Sequence, residues 1–210
     1  GIDAEDNQQR SALSLAQVAL LAARLRAAGR RVVLTREPGG TAAGEAIRRL
    51  VKGEGVDAAI CPETEMLLFA ASRAQLVREI ILPALKRGDV VVSDRFMDST
   101  TVYQGMARGL APDDVAALNS LAVGAAVPDL TILLDVGVDV GLGRVKLRAV
   151  KRRGRCDRIE REGVRFHRRV REGYRRMAKL WPRRIRVVDG SLGEESVAEK
   201  VWGIVSDVLR

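Results

Sequence analysis

The 210-residue sequence predicts an α/β fold: a parallel sheet with helices on both faces, three layers in one domain spanning residues 1–210. Three observations predict it. Four short Val-, Ile- and Leu-rich runs, near Val32, Val90, Thr131 and Ile185, read as strands, and the Val90 and Leu130–Val136 runs lack polar alternation, the pattern of strands buried on both faces. Segments of helical period separate these runs, so strand and helix alternate along the chain. The runs empty into loops that carry charge or glycine, and open α/β sheets bind ligands at the carboxyl ends of their strands.

In chain order, Leu13 to Ala28 has apolar residues at helical spacing, and Gly29 supplies a stop. Val32–Thr35 is a strand that runs into Arg36-Glu-Pro-Gly-Gly40, a loop closed to regular structure. Thr41 to Lys52 reads as a helix ended by Gly53. A longer helix starts at Pro62, with Glu63 and Glu65 facing its dipole, and Pro83 kinks or restarts it. The Val90 strand follows, then a helix expected to begin near Asp98–Ser99, both good N-caps. Pro112 opens another helix, Leu130–Val136 is a third strand, and Val138 to Leu147 reads as helical. Ile159 to Leu180 returns to helix, with His167 expected to be solvated. Ile185–Val188 is the last strand, and Ser191–Glu194 has the pattern of a capping box for the terminal helix.

Composition narrows the function. The chain is 47% hydrophobic and 30% charged, as expected of a soluble domain, with no apolar run long enough for a membrane span. The amino end lacks a signal-peptide pattern, and Cys61 and Cys156 have no metal-like spacing, so a cytoplasmic protein with free thiols is expected. The net charge is +9, and it is concentrated: 15 of the 36 Lys and Arg lie between Arg144 and Arg176, against 4 of the 27 Asp and Glu. That segment is a surface for anions, either small-molecule phosphates or a nucleic-acid backbone. Aromatic content of only 3%, with no stacking residues interleaved among these arginines, argues against nucleic acid.

The stretch Asp89 to Gly105 gathers the most chemistry. Its strand ends on Asp94 and Arg95, and Ser99, Thr100, Tyr103 and Gln104 follow within two turns. Two readings fit these residues alone: a binding site at a strand end, or Asp98 capping a helix while Arg95 pairs with Asp94. Phe69 and Arg73, four apart on one helix face, suit either core packing or base stacking.

Taken together, Thr35-Arg-Glu-Pro-Gly-Gly40, Leu67 to Gln75, Ser93-Asp-Arg95, Ser99 to Gly105, Pro128 to Thr131, Cys156-Asp-Arg-Ile-Glu160 and Phe166 to Tyr174 resemble bacterial thymidylate kinases, collinearly from about Gln17 to Leu209. The resemblance implies a P-loop nucleoside-monophosphate-kinase fold, transfer of the γ-phosphoryl group of ATP to dTMP with Mg²⁺, and a homodimer. It implies that Phe69 stacks on thymine and Arg73 bonds its edge. Arg36 and Arg95 would hold the acceptor phosphate with their planar forks. Ser99, Thr100, Tyr103 and Gln104 would line the sugar and base pocket. The segment at about 148–158 resembles an arginine lid, with Arg153 and Arg155 acting on the transferred group and Arg148 and Arg158 on the nucleotide. Asp94, with Asp3, would face the metal.

One departure stands out. Gly1-Ile2-Asp3 is similar to the start of the family's phosphate-binding loop, but Ala4-Glu-Asp-Asn-Gln-Gln9 follows, and Gly precedes Lys nowhere in the chain. The family's first strand has no counterpart, so this polypeptide is expected to hold dTMP well and ATP weakly. A dTMP-binding relative without catalysis and a basic nucleic-acid-binding protein are the alternatives.

Overall fold

The computed structural model describes residues 11–54, 59–141, 158–159 and 162–209. Helix α1 (Ser11–Ala27) leads to strand β1 (Val32–Arg36), helix α2 (Ala42–Lys52) and helix α3 (Pro62–Leu76). A π-helical turn at Val77–Ile81 joins α3 to α4 (Leu82–Lys86), which carries Pro83, so the long helix is interrupted where its proline demands it. Strand β2 (Val90–Asp94) follows. Helix α5 (Met97–Thr100) continues as a second π-helical turn, Thr101–Ala107, before α6 (Pro112–Val123). Strand β3 (Thr131–Asp135), helix α7 (Val164–Leu180), strand β4 (Ile185–Asp189) and helix α8 (Glu194–Val208) complete the described chain. Thr41 caps α2 by accepting from the Gly44 N–H, and Gly53 ends it in the left-handed conformation at φ 83°.

The four expected strands form and every pairing is parallel, and among the described residues they make two pairs instead of one sheet. Among the described residues β1 pairs with β2, from Val32↔Val90 to Arg36↔Asp94, and β3 with β4, from Thr131↔Ile185 to Asp135↔Asp189. Between the pairs lies a cavity of about 860 Å³, lined by Val91 and Val92 of β2, Ile132 and Leu133 of β3, and Leu21 and Leu25 of α1. This is why strands with unbroken apolar runs are only half-buried here. Apolar content fixes that a run is a strand, whereas which edges meet depends on what packs above and below.

Asp98 bridges the two pairs. Both its oxygens accept from Arg184, at 2.7 and 2.8 Å, and Oδ2 also accepts from Thr131 Oγ1 at 2.8 Å. It is therefore not the helix cap expected from sequence: α5 begins one residue earlier, at Met97, with Phe96 as an N-cap that contributes no side-chain bond. Two further expectations are corrected. The Ser191–Glu194 box does not form, because Ser191 bonds Asp189 instead and Gly193 precedes α8. His167 is 3% exposed, with its ring edge-on to Phe166. The run of arginines around it hides the apolar α7 stripe of Phe166, Val170 and Met177, which packs on Val102, Tyr103 and Ile185.

Candidate active site

The site grows from the carboxyl ends of β1 and β2. Arg36 lies opposite Asp94 in the ladder, and Arg95 is the next residue, so both arginines stand at one edge of this strand pair, as the sequence led one to expect. Arg95 has φ 69°, the described non-glycine residue with positive φ, a conformation that costs on the order of 1–3 kcal/mol. Ser93 Oγ donates to the Arg95 carbonyl at 2.7 Å and helps hold it. The bend turns the guanidinium over the Tyr103 ring, 5.3 Å from its centroid. Tyr103, then Tyr174 and Asp94, outweigh the cost of burial and keep that guanidinium charged. Arg95 is thus a fixed cation, aimed by a strained backbone.

Beyond β1 the loop folds back on Arg36. Glu45, in the first turn of α2, accepts from Arg36 Nη2 at 3.0 Å and from the Gly40 N–H at 2.8 Å, both through Oε1. Gly39 is tightly enclosed: a Cβ there would sit 2.5 Å from the same Glu45 oxygen, and its φ of 130° also favours glycine.

Helix α3 supplies the floor. Phe69 is half-buried on it, as a ring with one open face must be to accept a stacking partner. Arg73, on the same face, is completely buried. Its Nε and Nη2 donate to Glu37 Oε2 at 2.9 and 2.7 Å, while Nη1 donates to Thr100 Oγ1 and Asn119 Oδ1, each at 3.0 Å. Its guanidinium also lies 5.6 Å from the centroid of Phe96. Four of its five N–H groups are therefore committed inside the protein. Burial pushes the Glu37 carboxyl up against the pull of Arg73, and Glu37 Oε1 has no partner among the described residues. Thr100, a lining residue by sequence, serves here as an acceptor for Arg73. Ser99 Oγ lies 2.8 Å from the Tyr174 hydroxyl.

Gln104 leads to Glu65, to which the sequence assigns only a place facing the helix dipole. Its Nε2 donates to Glu65 Oε1 at 2.7 Å. Glu65, 1% exposed, also receives Arg108 Nη2 at 3.2 Å and Nη2 of Arg158, the one lid residue of the four within the described chain. Glu65, Phe69 and Arg73 are spaced by four along α3, so the spacing that paired Phe69 with Arg73 would have found Glu65 one turn earlier. Arg148, Arg153, Arg155 and Asp3 lie outside the described residues.

Burial raises the Glu65 carboxyl, but hydrogen bonds from Gln104 and Arg158 and the charges of Arg108 and Arg158 outweigh it, leaving the carboxyl below its ordinary range. The stabilisation that follows is fully present above the unfolded pKa of about 4.3 and is lost as the pH falls through the lower folded value. The stability difference between wild type and Glu65→Gln should therefore hold above about pH 5 and shrink steadily below about pH 4. Urea unfolding at a series of pH values measures this, and a constant difference down to the most acid point would mean that the Glu65 charge is not what Arg108 and Arg158 use.

Comparison with known proteins bears on what these residues are for. A sequence profile of the family described as thymidylate kinase matches residues 16–201, which is most of the chain. The chain belongs to the thymidylate kinase family. Its relatives include the thymidylate kinase of Thermomicrobium roseum, 50% identical over 195 residues, which cover 92% of this chain and 89% of the relative. That of Geobacter sulfurreducens is 50% identical over 194 residues, with the same coverage. That of Deinococcus radiodurans is 44% identical over 191 residues, covering 91% and 89%. Thymidylate kinases have the α/β fold of P-loop nucleoside-monophosphate kinases, and the parallel strands and flanking helices here agree with it. No described helix is long and apolar enough to cross a membrane.

Proposed function

We propose that this chain catalyses transfer of the γ-phosphoryl group of ATP to dTMP, giving dTDP and ADP. The observation that carries the reading is the placement of Arg36 and Arg95 at one strand-pair edge within a chain that belongs to the thymidylate kinase family. Neither the fold nor the relatives favour a catalytically silent or a nucleic-acid-binding protein. Phosphoryl transfer needs little covalent help, so positioned positive charge is the suitable machinery. In this reading Arg36 and Arg95 neutralise the acceptor phosphate, whose oxygen attacks the γ-phosphorus as the bond to ADP breaks. Phe69 stacks on the base, and Ser99, Thr100, Tyr103 and Gln104 surround base and sugar. The lid arginines Arg148, Arg153, Arg155 and Arg158 close on the phosphates.

Among the described residues no group of three His, Cys, Asp or Glu could hold a metal alone. Mg²⁺ takes one or two carboxylates and completes its shell with water and substrate phosphates. The buried Asp94 at the end of β2 would hold it, with Asp3 as a second carboxylate, and Mg²⁺ would supply charge neutralisation at the phosphates. The same reading takes the protein as a cytoplasmic homodimer.

The fifth N–H of Arg73 suits the carbonyl at thymine position 4, whereas cytosine presents a donor there. A buried donor left unpaired costs ~1–3 kcal/mol, so dTMP should bind about 5- to 150-fold more tightly than dCMP. Calorimetric titration of both nucleotides tests this, and ADP release with dTMP, ATP and Mg²⁺ tests the reaction. Equal affinities would remove Arg73 from the base edge. Failure to release ADP with dTMP would refute the assigned activity.

A further inference from the structure

The Arg36 loop contains an anion seat, and the chain's own Glu45 sits in it. One carboxylate oxygen, Oε1, accepts from both Arg36 Nη2, at 3.0 Å, and the Gly40 N–H, at 2.8 Å. A guanidinium and a loop N–H converging on a single oxygen are what a phosphate oxygen would meet there. The loop is shaped around this occupant, since the space a side chain at Gly39 would need is taken by Oε1. Resting on the reading of Arg36 as a holder of the acceptor phosphate, we propose that Glu45 is a built-in competitor for that phosphate and must leave the seat before it binds.

Three features favour displacement over coexistence. A phosphate oxygen cannot take the same two donors while the carboxylate holds them, and two anions sharing one guanidinium repel each other. Glu45 leaves Arg36 Nε buried without a partner among the described residues, whereas a phosphate, with three oxygens, can reach Nη2, Gly40 and Nε together. Glu45 is also able to go: its side chain is half-exposed and lies in the first turn of α2, where the helix dipole keeps a carboxylate favourable even after it swings to solvent. The consequence is selectivity. With the seat already filled by a single negative charge, only an anion that gives more bonds than Glu45 gains by entering, so a phosphate monoester is admitted to the seat and a carboxylate is not.

The test compares dTMP with thymidine, which has the same base and sugar but no phosphate, by calorimetry on wild type, Glu45→Gln and Arg36→Ala. Glu45→Gln should tighten dTMP binding about tenfold and leave thymidine unchanged, with the urea midpoint confirming that the variant is folded. Weaker or unchanged dTMP binding in Glu45→Gln would overturn the proposal and make Glu45 a residue that orients Arg36. Arg36→Ala separates the two claims: it should weaken dTMP but not thymidine. If it weakens neither, the acceptor-phosphate reading fails, and the proposal fails with it.

Discussion

Replacing Arg73 by leucine should lower stability by about 3–5 kcal/mol, the cost of stranding the other member of a buried ion pair. Glu37 is the stranded partner, 2% exposed, and its second oxygen already lacks a donor among the described residues. Thr100 and Asn119 would lose their partner as well. At about 2–4 °C per kcal/mol for a domain of this size, the melting temperature should fall by roughly 10 °C. The double variant Arg73→Leu with Glu37→Leu should recover much of the loss, because a paired charge removed whole costs far less than half of one. A single variant that melts like wild type but binds dTMP poorly would show that Arg73 serves the ligand and not the fold.

Arg95→Ala should lower turnover about 10²- to 10³-fold at saturating dTMP, the usual loss when one preorganised donor to a developing charge is removed. Stability should fall less than for Arg73→Leu, since the substitution forgoes the stacking on Tyr103 and takes one charge from beside the buried Asp94. Arg95→Lys should lie between, keeping charge but not the planar fork. Coupled ADP release measures all three proteins, and a loss under tenfold for alanine would place Arg95 outside the reacting phosphates.

The parallel strands, the α/β class and the shared edge of Arg36 and Arg95 could be read in advance because they follow from local features: unbroken Val and Leu runs, and the residues immediately after them. Helix starts depending on backbone geometry were read less well. Asp98 looks like a cap by type, but Arg184, 86 positions away, claims its carboxylate, and nothing local announces that. His167 sits among arginines in sequence yet turns inward, because helical spacing puts it near Phe166 and Val170 in the core. The carboxylates that organise the site, Glu37, Glu45 and Glu65, were the least legible. Their role is to hold arginines, and sequence shows a residue's type but not what it must hold still.

The separation of the strands into two pairs has a mechanical consequence. Within each pair, five residues face five residues, so a ladder resists sliding and rotation alike. Between the pairs, within the described strand layer, the link runs through Asp98, which accepts from Arg184 with both oxygens and from Thr131 Oγ1. Three bonds thus converge on one carboxylate, and Asp98 works as a pin between the pairs. Arg36 and Asp94, with Arg95 and the α3 residues behind them, ride on the β1–β2 side of that pin. Tyr174, which reaches Ser99, rides on α7 beside β3 and β4. The apolar stripe of α7 also packs on Val102 and Tyr103, so the pin and this seam together hold the half that carries the guanidiniums against the other.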